Sequence, residues 1–332
     1  MLLHTNEQQA AVNQAREIFD NTEEAYGRAG TGLLVGNSAP IGPEAWRRID
    51  QRVTRVQRNV LSVFDRLARA NTTPVGVGDI MSYYPKITDS GEAQVSMDGR
   101  SNALQDQANV TFVGTPVPVI DSFIRLGWRQ GEVLRKQNGM AIDVESMANA
   151  GRRVAEKLED MALNGLPQIV VQGSPIYGLL NFPDRSTDTH GFTLATATGA
   201  QWLTAVGKVI TQLEADKAYG KVTLFLNWGD WSYATRTDYT ANYPKTIIQR
   251  IMELGQVAEI IPASNVPANQ LVGIANIDTG EWGSVLSAMA PTSVVKNRAN
   301  AQDDYVQGHM AMAATQFRSD ASAQSQIAHV TQ

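Results

Sequence analysis

The chain has no cysteine among its 332 residues, so disulfides and thiolate metal sites are excluded. It also lacks any apolar run near the ~18 residues of a membrane span, and "MLLHTNEQQ" has neither the basic start nor the apolar stretch of a secretion signal. Synthesis in the cytoplasm is the expectation. No Gly-Lys-Ser/Thr follows the glycines of "GRAGTGLLVGNSAPIG", which argues against a phosphate-binding loop. Neither Gly-x-Ser-x-Gly nor His-Glu-x-x-His occurs, and the four histidines (His4, His190, His309, His329) are too scattered for a metal site, reading instead as surface or interface residues. Internal repeats and low-complexity tracts are missing too. No catalytic, cofactor-binding or metal-ligating set emerges, and an enzyme is not expected.

What is present is a 36.1 kDa chain, 43% hydrophobic and 18% charged, large enough for two domains. Its net charge of −5 argues against a surface that coats nucleic acid throughout. The charge is uneven, however: "EAWRRIDQRVTRVQRNVLSVFDRLAR", residues 44–69, carries seven arginines against Glu44, Asp50 and Asp65.

The N-terminal part, 1–42, reads as a helix over 5–26 and a Gly-rich arm. Thr5 and Gln8 fit a capping box, and Val12, Ala15, Ile18 and Phe19 form an apolar stripe. A first long helix is expected within 43–78, opened by Pro43. Trp46, Ile49, Val53, Val56, Val60, Val63 and Leu67 recur at steps of three and four, so either a coiled coil or a helix laid on its own subunit or a neighbour fits. Residues 79–108 are polar, with turns at Ser90-Gly91 and Asp98-Gly99, and are flanked by the strand-like "MSYYPKI" and "NVTFVG"; an extended two-stranded loop fits. Within 109–185, "TPVPVIDSFIRLGW" is extended, and a helix spans 143–164, capped by Asp143 and stopped at Asn164-Gly165. Val144, Met147, Val154, Leu158 and Met161 line its packing face, with Gly151 and Ala155 allowing close approach. Residues 186–290 alternate helices with short apolar strands, as in a small sheet covered by helices, and 291–332 return to strands that close the fold as a hairpin or pair.

One tripeptide invites a chemical reading. Asp278-Thr279-Gly280 matches the aspartic-protease loop, in which two carboxylates share a proton, but one copy would need a dimer and a run of hairpins around it. A turn after a strand, with the Asp accepting backbone N–H bonds, is the expectation.

Three segments carry a resemblance. "EKLEDMALNG" followed by "IYGLLN", "FIRLGWRQGEVL", and "SAPIGPEAWRRID" resemble the spine-helix end, the strand before the spine and the encapsulin-like opening of tailed-bacteriophage major capsid proteins of the Hong Kong 97 type. Met161 departs from an arginine common there. The resemblance implies an α+β fold with N-terminal arm, extended loop (E-loop), peripheral domain carrying the long spine helix, and α/β axial domain. The implied function is an icosahedral virion shell of pentamers and hexamers, built in the host cytoplasm, with an encapsulin-type compartment enclosing a cargo enzyme as the alternative. Tyr83, Tyr84, Lys86, Asp98, Gly99 and Arg100 are then the intersubunit E-loop residues. Arg47, Arg48, Arg52, Arg55 and Arg58 face either packaged double-stranded DNA, contacted without sequence readout, or solvent and neighbouring acids. Implied partners are copies of the chain, a scaffolding protein, a portal and a decoration protein, with no membrane. Some relatives are cross-linked through a loop lysine; Lys86, with Asn297 or Asn300, could serve, but no glutamate matches, so non-covalent closure is expected.

Overall fold

The computed structural model describes residues 61–88, 97, 108–129, 142–300 and 302–332. The expected N-terminal helix and arm, the arginine set (Arg47, Arg48, Arg52, Arg55, Arg58) and the loop residues Asp98, Gly99 and Arg100 lie outside the described residues.

The first described helix, α1, spans Val63–Ala70 and buries Val63 and Leu67. Of the helix expected within 43–78, residues 43–60 lie outside the described residues; the described helix starts after Ser62 and stops at Asn71. Its start is fixed from outside: the Glu159 carboxylate accepts N–H bonds from Ser62 and Val63 through Oε1 (3.1 and 3.0 Å) and from Phe64 through Oε2 (2.7 Å). Those amides are the orphan donors of a helix N-terminus. After α1 the chain turns into strand β1 (Thr72–Pro74), where paired threonines favour extension and Pro74 suits an edge.

Strands β2 (Met81–Ile87) and β3 (Val110–Pro116) pair antiparallel in a hairpin, with Ile87 opposite Val110 and Met81 opposite Pro116. Strand β4 (Val119–Leu126) follows, and then the spine helix α2, Ile142–Asn164, close to the span the sequence suggests. It stops at Gly165, whose positive φ of 67° lets the turn close. Gly178 packs so tightly against the backbone of Leu163 and Gly165 that a Cβ there would overlap both.

Strands β5 (Leu166–Val171) and β6 (Ser174–Ile176) form a small hairpin, and β7 (Ser186–Thr189) leads into an α/β lobe. Here α3 (Gly199–Ala215) starts with a capping box of Thr198 and Gln201, followed by β8 (Val222–Asn227), α4 (Trp228–Arg236), the ribbon β9 (Asp238–Thr240) and β10 (Tyr243–Thr246), α5 (Ile247–Met252), β11 (Val257–Ala263) and β12 (Leu271–Ala275). The last strands are β13 (Gly283–Val295), β14 (Tyr305–Phe317) and β15 (Ile327–Thr331).

These strands build two larger sheets. One has the order β1-β13-β14-β4, and α2 lies across it: Val154, Leu158 and Met161 pack on Ile120, Ala311 and Ala313. The other has the order β11-β8-β12-β15-β7 and holds the lobe's core around Trp202, Val209, Leu213, Leu224 and Leu271. The closing segment is not one hairpin or strand pair. β13 begins before residue 291 and pairs with β14, whereas β15 crosses into the second sheet between β12 and β7. Burial explains the split: four of the five β15 residues are buried, as suits an interior strand of a sheet covered by helices.

Candidate assembly surfaces

The β2–β3 hairpin has two unlike faces because side chains alternate along each strand. The inner face belongs to its own subunit. Tyr84 is buried at 5% exposure, and Lys86 Nζ pairs with Asp184 Oδ2 at 2.9 Å, both side chains being mostly covered. Ser319 Oγ also donates to Asp184. Burial pushes the Asp184 carboxyl up, but the Ser319 and Lys86 bonds outweigh it and hold the group below its ordinary value. Tyr84 and Lys86, expected at an intersubunit contact, are thus turned inward. Lys86 is engaged within its own chain, while Asn297 and Asn300 lie exposed in the loop between β13 and β14.

The outer face is different. The register places Tyr83, Pro85 and Ile87 beside Gly114, Phe112 and Val110, so all share one side. Phe112 is 68% exposed, Ile87 56%, Tyr83 51% and Val110 48%. This is an apolar strip that the other described residues leave largely exposed, and such strips mark association sites. Tyr83 is the one expected residue that the strip retains; its hydroxyl donates to Gln172 Oε1 at 2.5 Å. Phe112, Ile87 and Val110 were missed. The signal was a period-two alternation running through both strand-like segments in register.

Of the expected spine set, Val154, Leu158 and Met161 are buried and Met147 is half-buried; Val144 lies in α2, with its side chain outside the described residues. Gly151 does sit under a neighbour: a Cβ there would come 3.3 Å from the His309 ring on β14.

Asp278-Thr279-Gly280 forms a short 3-10 turn between Asn276 and Gly280, both left-handed. Asp278 is largely exposed and accepts from Arg66 Nη1 at 2.9 Å. The neighbouring carboxylate, Glu259, accepts from Nε of the same guanidinium at 2.9 Å, so the two acids are bridged by a cation and do not share a proton. Two histidines correct the surface expectation. His190 is buried with Nε2 3.0 Å from the Asn269 carbonyl, and His329 is buried between Arg185 and Gln270. Burial first, and the Arg185 charge second, lower the His329 pKa to about 4. Among the described residues no cluster of side chains could hold a metal ion, and no helix is long and apolar enough to cross a membrane.

The family model described as "Family of unknown function (DUF6260)" matches residues 36–330. The chain belongs to this family. The DUF6260 chain has no match among curated proteins. Solved structures place its fold. It is similar to "The capsid of Myoviridae Phage XM1" (TM-score 0.68, 12% identity, 89% of this chain and 99% of that one). It is also similar to a structure from Mycobacterium phage Cain (0.57, 11%, 88% and 98%) and to the "Capsid of native GTA particle computed with C5 symmetry" (0.55, 13%, 89% and 98%). The fold is the Hong Kong 97-type α+β capsid fold that the sequence suggests.

Proposed function

We propose that this chain is a major capsid protein that self-assembles into the icosahedral head of a tailed double-stranded DNA bacteriophage. The observation that carries the reading is the exposed apolar strip of Tyr83, Ile87, Val110 and Phe112 on the outer face of the β2–β3 hairpin. A monomer gains nothing from displaying it; a copy that lays it on a neighbour removes it from water. Several weak contacts per subunit then close a shell cooperatively, and closure leaves no sticky edge. In this reading the copies form pentamers and hexamers, Tyr83 is an intersubunit residue, and Lys86 positions the hairpin through Asp184 instead of forming a cross-link. A scaffolding protein, a portal and a decoration protein are partners during or after assembly in the host cytoplasm. Arg47, Arg48, Arg52, Arg55 and Arg58 face the packaged DNA, meeting phosphates without reading sequence.

Expression of the chain alone followed by electron microscopy tests the proposal. Closed particles of megadalton mass are expected, and a monomer that persists at high protein concentration with scaffold supplied would overturn it. Particle contents separate the two shell readings: a portal and double-stranded DNA for a phage head, a cargo enzyme for a compartment.

A further inference from the structure

Glu159 is the most deeply buried carboxylate among the described residues, at 1% exposure, yet it faces no cation in any described ion pair. Its two oxygens are spent on the three amides at the N-terminus of α1, and the positive end of that helix favours a negative group there. Burial pushes the carboxyl up and the three N–H bonds pull it back, with a net rise. Packing alone does not call for a charge at this position.

What α1 touches gives the charge a purpose. Its N-terminal end is hooked to the spine helix by Glu159. Beyond its C-terminal end, Asn71 Nδ2 donates to the Gly283 carbonyl at 2.8 Å, the Asn71 carbonyl accepts from Val285 N at 2.9 Å, and β1 pairs with β13. Both ends are therefore fixed to the spine–sheet layer. Its flank reaches the other lobe: Ser62 Oγ donates to the Pro262 carbonyl on β11 at 2.7 Å, and Arg66 bonds Glu259 Oε2 and Asp278 Oδ1, each at 2.9 Å. Between these polar ties, Val63 and Leu67 sit in one cluster with Ala162 and Leu163 of the spine and Phe225, Ile261 and Val272 of the five-stranded sheet.

We propose that α1 is a staple fixing the angle between the spine–sheet layer and the α/β lobe, and that Glu159 is the residue that positions it. The inference rests on the shell reading, because that angle sets the curvature at which copies meet. A packed interface of aliphatic side chains can slide by small steps; a carboxylate held by three directional bonds cannot do so without breaking them. Asp278, which invited a protease reading, is an anchor of this staple.

Two variants of the full chain test it, each compared with wild type by particle diameter in electron microscopy, amide hydrogen exchange at residues 62–66, and thermal unfolding. Glu159→Gln keeps the shape but puts an NH2 against backbone donors. It is expected to speed exchange at Ser62, Val63 and Phe64 by about tenfold or more, and to spread particle diameters well below the unfolding temperature. The double variant Ser62→Ala, Arg66→Gln leaves the Glu159 bonds and their exchange protection in place but frees the lobe, so it too is expected to spread the diameters. A merely structural role predicts lower unfolding temperatures with wild-type diameters in both, and that result would overturn the inference. If Glu159→Gln does not fold, the double variant decides: uniform particles refute the staple and dispersed ones support it. A wild-type chain that forms no particles under any condition removes the shell reading and this inference together, whereas uniform variant particles remove the inference alone.

Discussion

Replacing Phe112 by serine separates association from folding more cleanly than any other single change. Phe112 stands on the outer face of β3, opposite Pro85, and is 68% exposed in the lone chain. An aromatic side chain of ~200 Å² exposed to that degree has roughly 130 Å² left to bury, which at ~25 cal/mol per Å² comes to about 3 kcal/mol for each full contact. The subunit itself should lose no more than about 0.5 kcal/mol, because a solvent-facing ring contributes little to its own core. Three kcal/mol per contact corresponds to a shift of roughly a hundredfold in the protein concentration at which particles appear. Sedimentation across a dilution series, with urea unfolding of unassembled subunits as control, measures both quantities. Phe112→Ser subunits that assemble within about threefold of the wild-type concentration, or that lose several kcal/mol of stability, would show the strip to be misassigned.

Met161, fully buried between α2 and the sheet, should cost about 2–5 kcal/mol when changed to alanine, seen as a lower denaturant midpoint with unchanged slope. His329 is neutral in the fold with a pKa of about 4 but titrates near 6.5 when unfolded, so the unfolded chain takes up the proton first. Stability is then lost as pH falls from about 6.5 to about 4, by about 3 kcal/mol from this group, and His329→Gln should remove that part of the slope in a pH series of unfolding curves. Asp278→Asn should cost under about 1 kcal/mol, since its pair with Arg66 is largely exposed on the acid's side, and should leave peptide substrates untouched in either form. Gly178→Ala should be among the most damaging changes outside the apolar core, lowering the unfolding temperature sharply because its methyl overlaps the backbone of Leu163 and Gly165.

Much of the architecture was readable because local signals agreed with the fold. The spine helix declared itself through a 3.6-residue apolar pattern and a glycine stop, and α3 through its capping box and period. The hairpin strands fell where β-branched and aromatic residues clustered. What was hidden was set by distant partners. The start of α1 depends on Glu159, almost a hundred positions away, so the apolar seam in the sequence concealed it. β15 looked like the mate of β14 because sequence neighbours usually pair, whereas burial on both faces sent it to another sheet. The buried histidines were misjudged because their acceptors, Asn269 and Gln270, arrive from a separate loop. On the hairpin, the tyrosines and the lysine stand out by residue type, whereas the exposure of Phe112 and Ile87 follows only from the strand register.

The placement of β15 between β12 and β7 also bears on timing. The lobe's sheet has a slot that stays open until a strand from the far side of the sequence arrives to fill it. Pairings across such separations form slowly, since the chain must close a long loop before any bond rewards it. The β2–β3 hairpin closes a shorter loop and should form first, leaving its apolar face bare in the meantime. Stickiness would then precede shape, and cooler growth or a holding chaperone should raise the yield of soluble subunits by slowing premature encounters.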